Sequence, residues 1–72
     1  MANPVYAARA VPADCDLCQR PIGQNYIDGM VKEGGWATMC LGCHRVHGFG
    51  LGAGRGRHFE KQEDGRWLKI EG

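Results

Sequence analysis

Two Cys-x-x-Cys pairs, a shortage of core-forming side chains and two hairpin-like segments predict a small α+β domain folded around a metal ion. Leu, Ile, Val and Phe number only 13 of the 72 residues. A chain of this length buries only about 60% of its unfolded surface, and its core supplies no more than roughly 3–5 kcal/mol. Something besides apolar burial has to stabilise the fold, and the four cysteines are the candidate. The length allows one domain. It excludes a multi-domain enzyme, and no stretch approaches the ~20 consecutive apolar residues that a spanning helix needs.

Taken in chain order, residues 1–13 carry Pro4 and Pro12 among several alanines and show no periodicity, so an irregular lead-in to a single domain over 14–72 is expected. The finger occupies 15–47, a glycine-rich segment 48–56 and a hairpin 58–70. Pro21 and Gly23 follow the first cysteine pair and suit a tight turn. Asn25 to Val31 is β-prone, Lys32-Glu33-Gly34-Gly35 reads as a turn, and Trp36 to Met39 returns as the second strand. His44 to His47 reads as one or two turns of helix that Gly48 stops. Glu63-Asp64-Gly65 between His58–Gln62 and Arg66–Ile70 gives the second hairpin, since Asp-Gly is a strong turn signal.

The chemistry resides in Cys15, Cys18, Cys40 and Cys43. A Cys-x-x-Cys turn lets two thiolates converge on one ion, and a second such turn closes a tetrahedral shell with Zn–S bonds of about 2.3 Å. One Zn²⁺ per chain is therefore the expected cofactor, with a structural role. Tetrahedral sulfur suits iron as well, as in rubredoxin, and ligand type alone leaves both metals open. A disulfide does not need the two-residue spacing. Cys40-x-x-Cys43-His44 matches the c-type haem attachment string, but that chemistry goes with export and leaves Cys15 and Cys18 unused. The redox reading of Cys-x-x-Cys lacks the βαβ surroundings that it needs.

A knuckle, a hairpin and a second Cys-x-x-Cys whose last cysteine opens a short helix resemble the treble-clef zinc finger. The fold so implied is a treble clef or zinc ribbon with a C-terminal β-hairpin packed on it. Met39 to His47, read Met-Cys-Leu-Gly-Cys-His-Arg-Val-His, is also similar to the closing segment of HNH nucleases. Those enzymes place a histidine base between the knuckles, and residues 19–39 contain no histidine. The resemblance thus implies the fold and speaks against the activity. The whole chain is also similar to small zinc-finger proteins of phages and prophages.

Other features point to partners. His44 and His47 lie three apart and share a helix face. With four cysteines closing the shell, both are expected to stand beside the metal site, His44 hydrogen-bonding a cysteine sulfur. Gly48, Gly50, Gly52, Gly54 and Gly56 alternate with Phe49, Leu51, Ala53 and Arg55. The pattern reads as an extended segment with one bare face, Phe49 and Leu51 pointing inward, or as a mobile linker. Trp36 and Trp67 are expected in the core. Arg45, Arg55, Arg57 and His58 belong to a run free of acidic residues, the one candidate patch for an anionic partner.

The formal net charge is +1, and four thiolates around a divalent ion take it to about −1. Proteins that rely on phosphate contacts are usually far more basic. The start of the chain lacks the basic and apolar regions of a signal peptide, so a reducing, cytoplasmic location is expected. The function that follows is a non-catalytic zinc module binding a protein or nucleic acid, with neither a membrane nor a small-molecule substrate. The alternative is a divergent HNH-like metal-dependent nuclease using His44, His47 or His58.

Overall fold

The computed structural model describes residues 3–8 and 10–72. Of the lead-in over 1–13, residues 1, 2 and 9 lie outside the described ones. The chain forms a four-stranded antiparallel sheet and one short helix: β1 (Asn25–Met30), β2 (Trp36–Met39), α1 (Leu41–His47), β3 (Gly56–Lys61) and β4 (Trp67–Glu71). The strand order is β2-β1-β3-β4.

Both hairpins form where the turn residues put them. The first is closed by the Val31 N–H donating to the Gly35 carbonyl at 3.1 Å, the second by the Gln62 N–H donating to the Arg66 carbonyl at 2.7 Å. The C-terminal hairpin does not pack on the finger as a separate layer. β3 pairs along the free edge of β1, with Tyr26 opposite Phe59 and Gly29 opposite Gly56, so one sheet runs through both. Edge pairing satisfies the backbone groups that a packed hairpin would leave to solvent.

Side chains alternate across the sheet. On one face Tyr26 stacks on Phe59 with ring centroids 5.1 Å apart, and Trp67 meets Tyr26 edge-on at 5.0 Å. Ile27, Met39 and Ala37 turn to the other face. The buried core is small: Cys15, Ile22, Tyr26, Ile27, Val31, Ala37, Met39 and Phe59. Trp67 is half-buried against it, as its composition argument expects, but Trp36 is 55% exposed. It opens the edge strand β2 directly after Gly35, and it is the one exposed residue of that strand.

The glycine-rich segment also departs from expectation. It is neither extended nor a linker: Gly50, Gly52 and Gly54 all have positive φ. Gly52 and Gly56 exchange backbone hydrogen bonds at 2.9 and 3.1 Å, which closes a compact loop. Leu51 packs against the core, whereas Phe49 is exposed rather than inward-facing. The loop lies on the Ile27 face of the sheet because Gly29 has no side chain there; a Cβ at Gly29 would come within 2.7 Å of the Arg55 carbonyl oxygen. Both outer edges of the sheet carry backbone partners, at Thr38 alone on β2. At β4 the Ala7 N–H donates to the Trp67 carbonyl and the Lys69 N–H to the Val5 carbonyl, at 2.9 and 2.7 Å.

Candidate metal centre

The first knuckle is built by a tight turn over Cys15 to Arg20. The Cys15 N–H donates to the Arg20 carbonyl and the Gln19 N–H to the Cys15 carbonyl. Gln19 sits in the left-handed region at φ 61, which reverses the chain in the space available. Asp16 then ties the knuckle to β2. Its N–H donates to the Thr38 carbonyl, and its carboxylate Oδ2 accepts from the Thr38 N–H, both at 2.8 Å. Nothing in the spacing marks Asp16 for this role beyond its place between two cysteines.

The second knuckle follows β2 directly. Cys40 caps α1: its Sγ accepts from the Cys43 N–H at 3.5 Å. The hairpin therefore delivers Cys40 and Cys43 to the first pair. All four Sγ atoms lie within 4.8 Å of one another, and they are the one cluster of three or more His, Cys, Asp or Glu ligands found among the described residues. Tetrahedral zinc with bonds of about 2.3 Å places its sulfurs about 3.8 Å apart. Cys18 Sγ and Cys40 Sγ stand at 3.8 Å. That separation is far beyond a disulfide bond of about 2.05 Å, and all four cysteines are free. The donor set and its spacing fit one tetrahedral ion.

The peptide dipoles around Cys15 favour its thiolate. Burial pushes the Cys15 thiol up, yet the N–H groups of Cys18, Cys40 and Leu17 outweigh it and bring Cys15 down to about 6 from 9.0. The Cys40 and Leu17 N–H groups lie 3.3 and 3.4 Å from its sulfur. Cys43 moves the other way. Burial pushes it up, and its hydrogen bonds with the Cys40, Cys15 and Cys18 sulfurs add to the rise. A metal ion reverses that preference by replacing shared protons with a shared divalent charge.

The histidines take structural partners. His44 Nε2 donates to the Gly50 carbonyl at 2.9 Å, so the hydrogen bond expected at a cysteine sulfur goes to the glycine loop instead. The ring lies over Gly48, where a Cβ would collide with it. His47 Nδ1 donates to Glu33 Oε2 at 2.9 Å, which links α1 to the first hairpin turn and holds the Glu33 carboxyl below its usual range. His58 Nε2 donates to Asn25 Oδ1 at 2.9 Å within the sheet.

The cations of the acid-free run do not assemble. The Arg55 guanidinium folds back over its own loop against Gly52. Gly56 faces that loop, so Arg57, the next residue, points to the opposite face, where it lines a groove with Asp28, Tyr26 and Phe59. Arg45 stands exposed on α1.

α1 itself is inverted relative to an ordinary amphipathic helix. At about 100° per residue, Cys43, His44 and His47 share the inner side, and Leu41, Arg45 and Val46 share the outer side. The helix buries no residue, and Leu41, Val46 and the following Phe49 are 41%, 63% and 45% exposed. The motif contained this signal, because placing Cys43, His44 and His47 inward leaves Leu41 and Val46 nowhere to go but out. Among the described residues no helix is long and apolar enough to cross a membrane. No protein-family model matches the chain, and neither a curated protein nor a solved structure shows significant similarity to it.

Proposed function

We propose that the protein is a non-catalytic binding module whose fold is held by one structural Zn²⁺ per chain, coordinated by Cys15, Cys18, Cys40 and Cys43. The observation that carries this reading is the convergence of four sulfurs, with no fifth His, Cys, Asp or Glu donor in the cluster among the described residues. Four thiolates complete a tetrahedral shell, whereas catalytic zinc keeps a position open for water. When bound, the ion supplies the crosslink between the two knuckles. The hydrogen bonds of His44, His47 and His58 to Gly50, Glu33 and Asn25 support a structural use of all three. The order of knuckle, hairpin, second knuckle and helix supports a treble-clef arrangement. The dispersal of Arg45, Arg55 and Arg57 over different faces favours a protein partner over a phosphate backbone.

Native mass spectrometry of the purified protein tests the metal. It should show one zinc ion per chain, retained in His44→Ala and lost in Cys18→Ser. A metal-free chain with a dispersed NMR spectrum, or a site filled by iron, would overturn the zinc assignment.

A further inference from the structure

We infer that the outer face of α1 is a docking surface for a segment of another protein that combines apolar side chains with carboxylates. The inference rests on the reading of the chain as a binding module and names the surface and the chemistry of its partner.

The inverted helix is the starting point. Leu41 and Val46 occupy the solvent side of α1, and Phe49 extends the patch just beyond its C-terminus. Single exposed apolar residues need no explanation, but here two large ones sit on a helix that buries none and a third follows two residues after its end. The Cys40 cap and the His44 hydrogen bond to Gly50 already fix this helix from the side that faces the sulfur cluster. Its outer side chains are therefore not needed for the fold, and they remain apolar.

Charge chooses the partner. No Asp or Glu occurs from Gly34 through Phe59, and Arg45, exposed on the same side of α1 as Leu41 and Val46, makes no ion pair among the described residues. The nearest acidic group along the chain, Glu33, is already bonded to His47. A second copy of this chain would set Arg45 against Arg45, a like-charge contact that disfavours self-association through this face. A carboxylate between apolar residues would meet the guanidinium in bidentate geometry while its neighbours cover Leu41, Val46 and Phe49. Nucleic acid would find a single arginine on the outer side of α1 and a single aromatic ring, Phe49, so it fits less well.

Random-peptide phage display on the zinc-loaded full chain tests the surface, with counter-selection on the Leu41→Ser/Val46→Ser double variant. Enriched peptides should carry Asp or Glu beside Leu, Ile, Phe or Trp. A synthetic copy of one should shift the amide resonances of Leu41 to Phe49, and its affinity should fall at least about tenfold in the double variant. Arg45→Glu should weaken it too, with rescue when the peptide's carboxylates are changed to lysines. No enrichment over the double variant, basic consensus sequences, or shifts mapping to another face would overturn the proposal. So would a labelled single-stranded oligonucleotide that displaces the peptide more effectively than excess peptide does. The double variant should keep its zinc and its spectral dispersion; loss of either would mean that the face belongs to the fold. A wild-type chain that is folded without zinc would sink the metal reading alone and leave this surface to stand or fall on the selection.

Discussion

The two faces of the sheet are stabilised by different physics, although β1 contributes alternate residues to both. On one face Tyr26, Phe59 and Trp67 form a packed aromatic cluster, with Tyr26 and Phe59 stacked 12° from parallel. On the other, Ile27 and Met39 meet a glycine loop and a seven-residue helix that buries nothing of its own. An isolated helix shorter than about 12–15 residues is marginal in water. What holds α1 is its Cys40 cap, the His44 and His47 hydrogen bonds and the approach of Cys40 and Cys43 to the sulfurs of the first knuckle, where a metal ion would bind all four. A four-cysteine cluster can thus anchor a helix that has no buried face of its own, over a sheet face whose Ile27 and Met39 are fully buried.

The largest effect follows from removing the ion. Structural zinc contributes on the order of 10 kcal/mol or more in small fingers, which exceeds what eight buried residues supply. Chelation should therefore abolish chemical-shift dispersion on both faces at once, because β1 is common to them. Retention of the Tyr26, Phe59 and Trp67 resonances after chelation would show two independently folding halves and break the comparison. Phe59→Ala comes next. It should cost about 3–5 kcal/mol, as core aromatic truncations do, and lower the midpoint of denaturant unfolding. The variant should still bind one zinc per chain; zinc loss in Phe59→Ala would show that the aromatic face shapes the cage.

The smallest effect concerns the metal-free chain. Cys15 titrates at about 6 in the fold against 9.0 ordinarily, so its thiolate adds stability that is complete above 9.0 and fades as pH falls toward 6. Cys43 is raised, so its contribution is present below 9.0 and fades above it. Residual structure in the chelated, reduced protein should peak near pH 9 in far-UV circular dichroism. Cys15→Ser should lack the rise from pH 6, and a flat wild-type profile would show that the N–H groups around Cys15 are not in place without the ion.

Much of this was legible in the sequence, for identifiable reasons. The cysteine spacing and the Asp-Gly turn act locally, and the two hairpins and the four-sulfur cluster appear where they put them. The pairing of β3 with β1 is a long-range event that no local pattern encodes. The strict alternation of glycines suggested extended chain because period two is a strand signal, but the freedom to adopt positive φ was used for a loop instead. Size points Trp36 inward and the period-two pattern points Phe49 inward, yet both are largely exposed, because β2 is an edge strand and the glycine segment is a loop. His44 was aimed at sulfur because it adjoins Cys43, yet its ring points along the helix toward Gly50.

The backbone partners at the sheet edges carry a consequence for colloidal behaviour. A small chain rich in β-structure exposes two rows of backbone groups that can recruit further copies into fibrils. Here Asp16 occupies both backbone groups of Thr38 on β2, and Val5 and Ala7 occupy β4. The lead-in is itself fastened, since the Arg66 guanidinium lies 4.1 Å from the centre of the Tyr6 ring. Residues that contribute little to the core therefore occupy backbone groups that strand-by-strand growth would need, so releasing the lead-in from β4 is expected to promote aggregation, as thioflavin fluorescence would show.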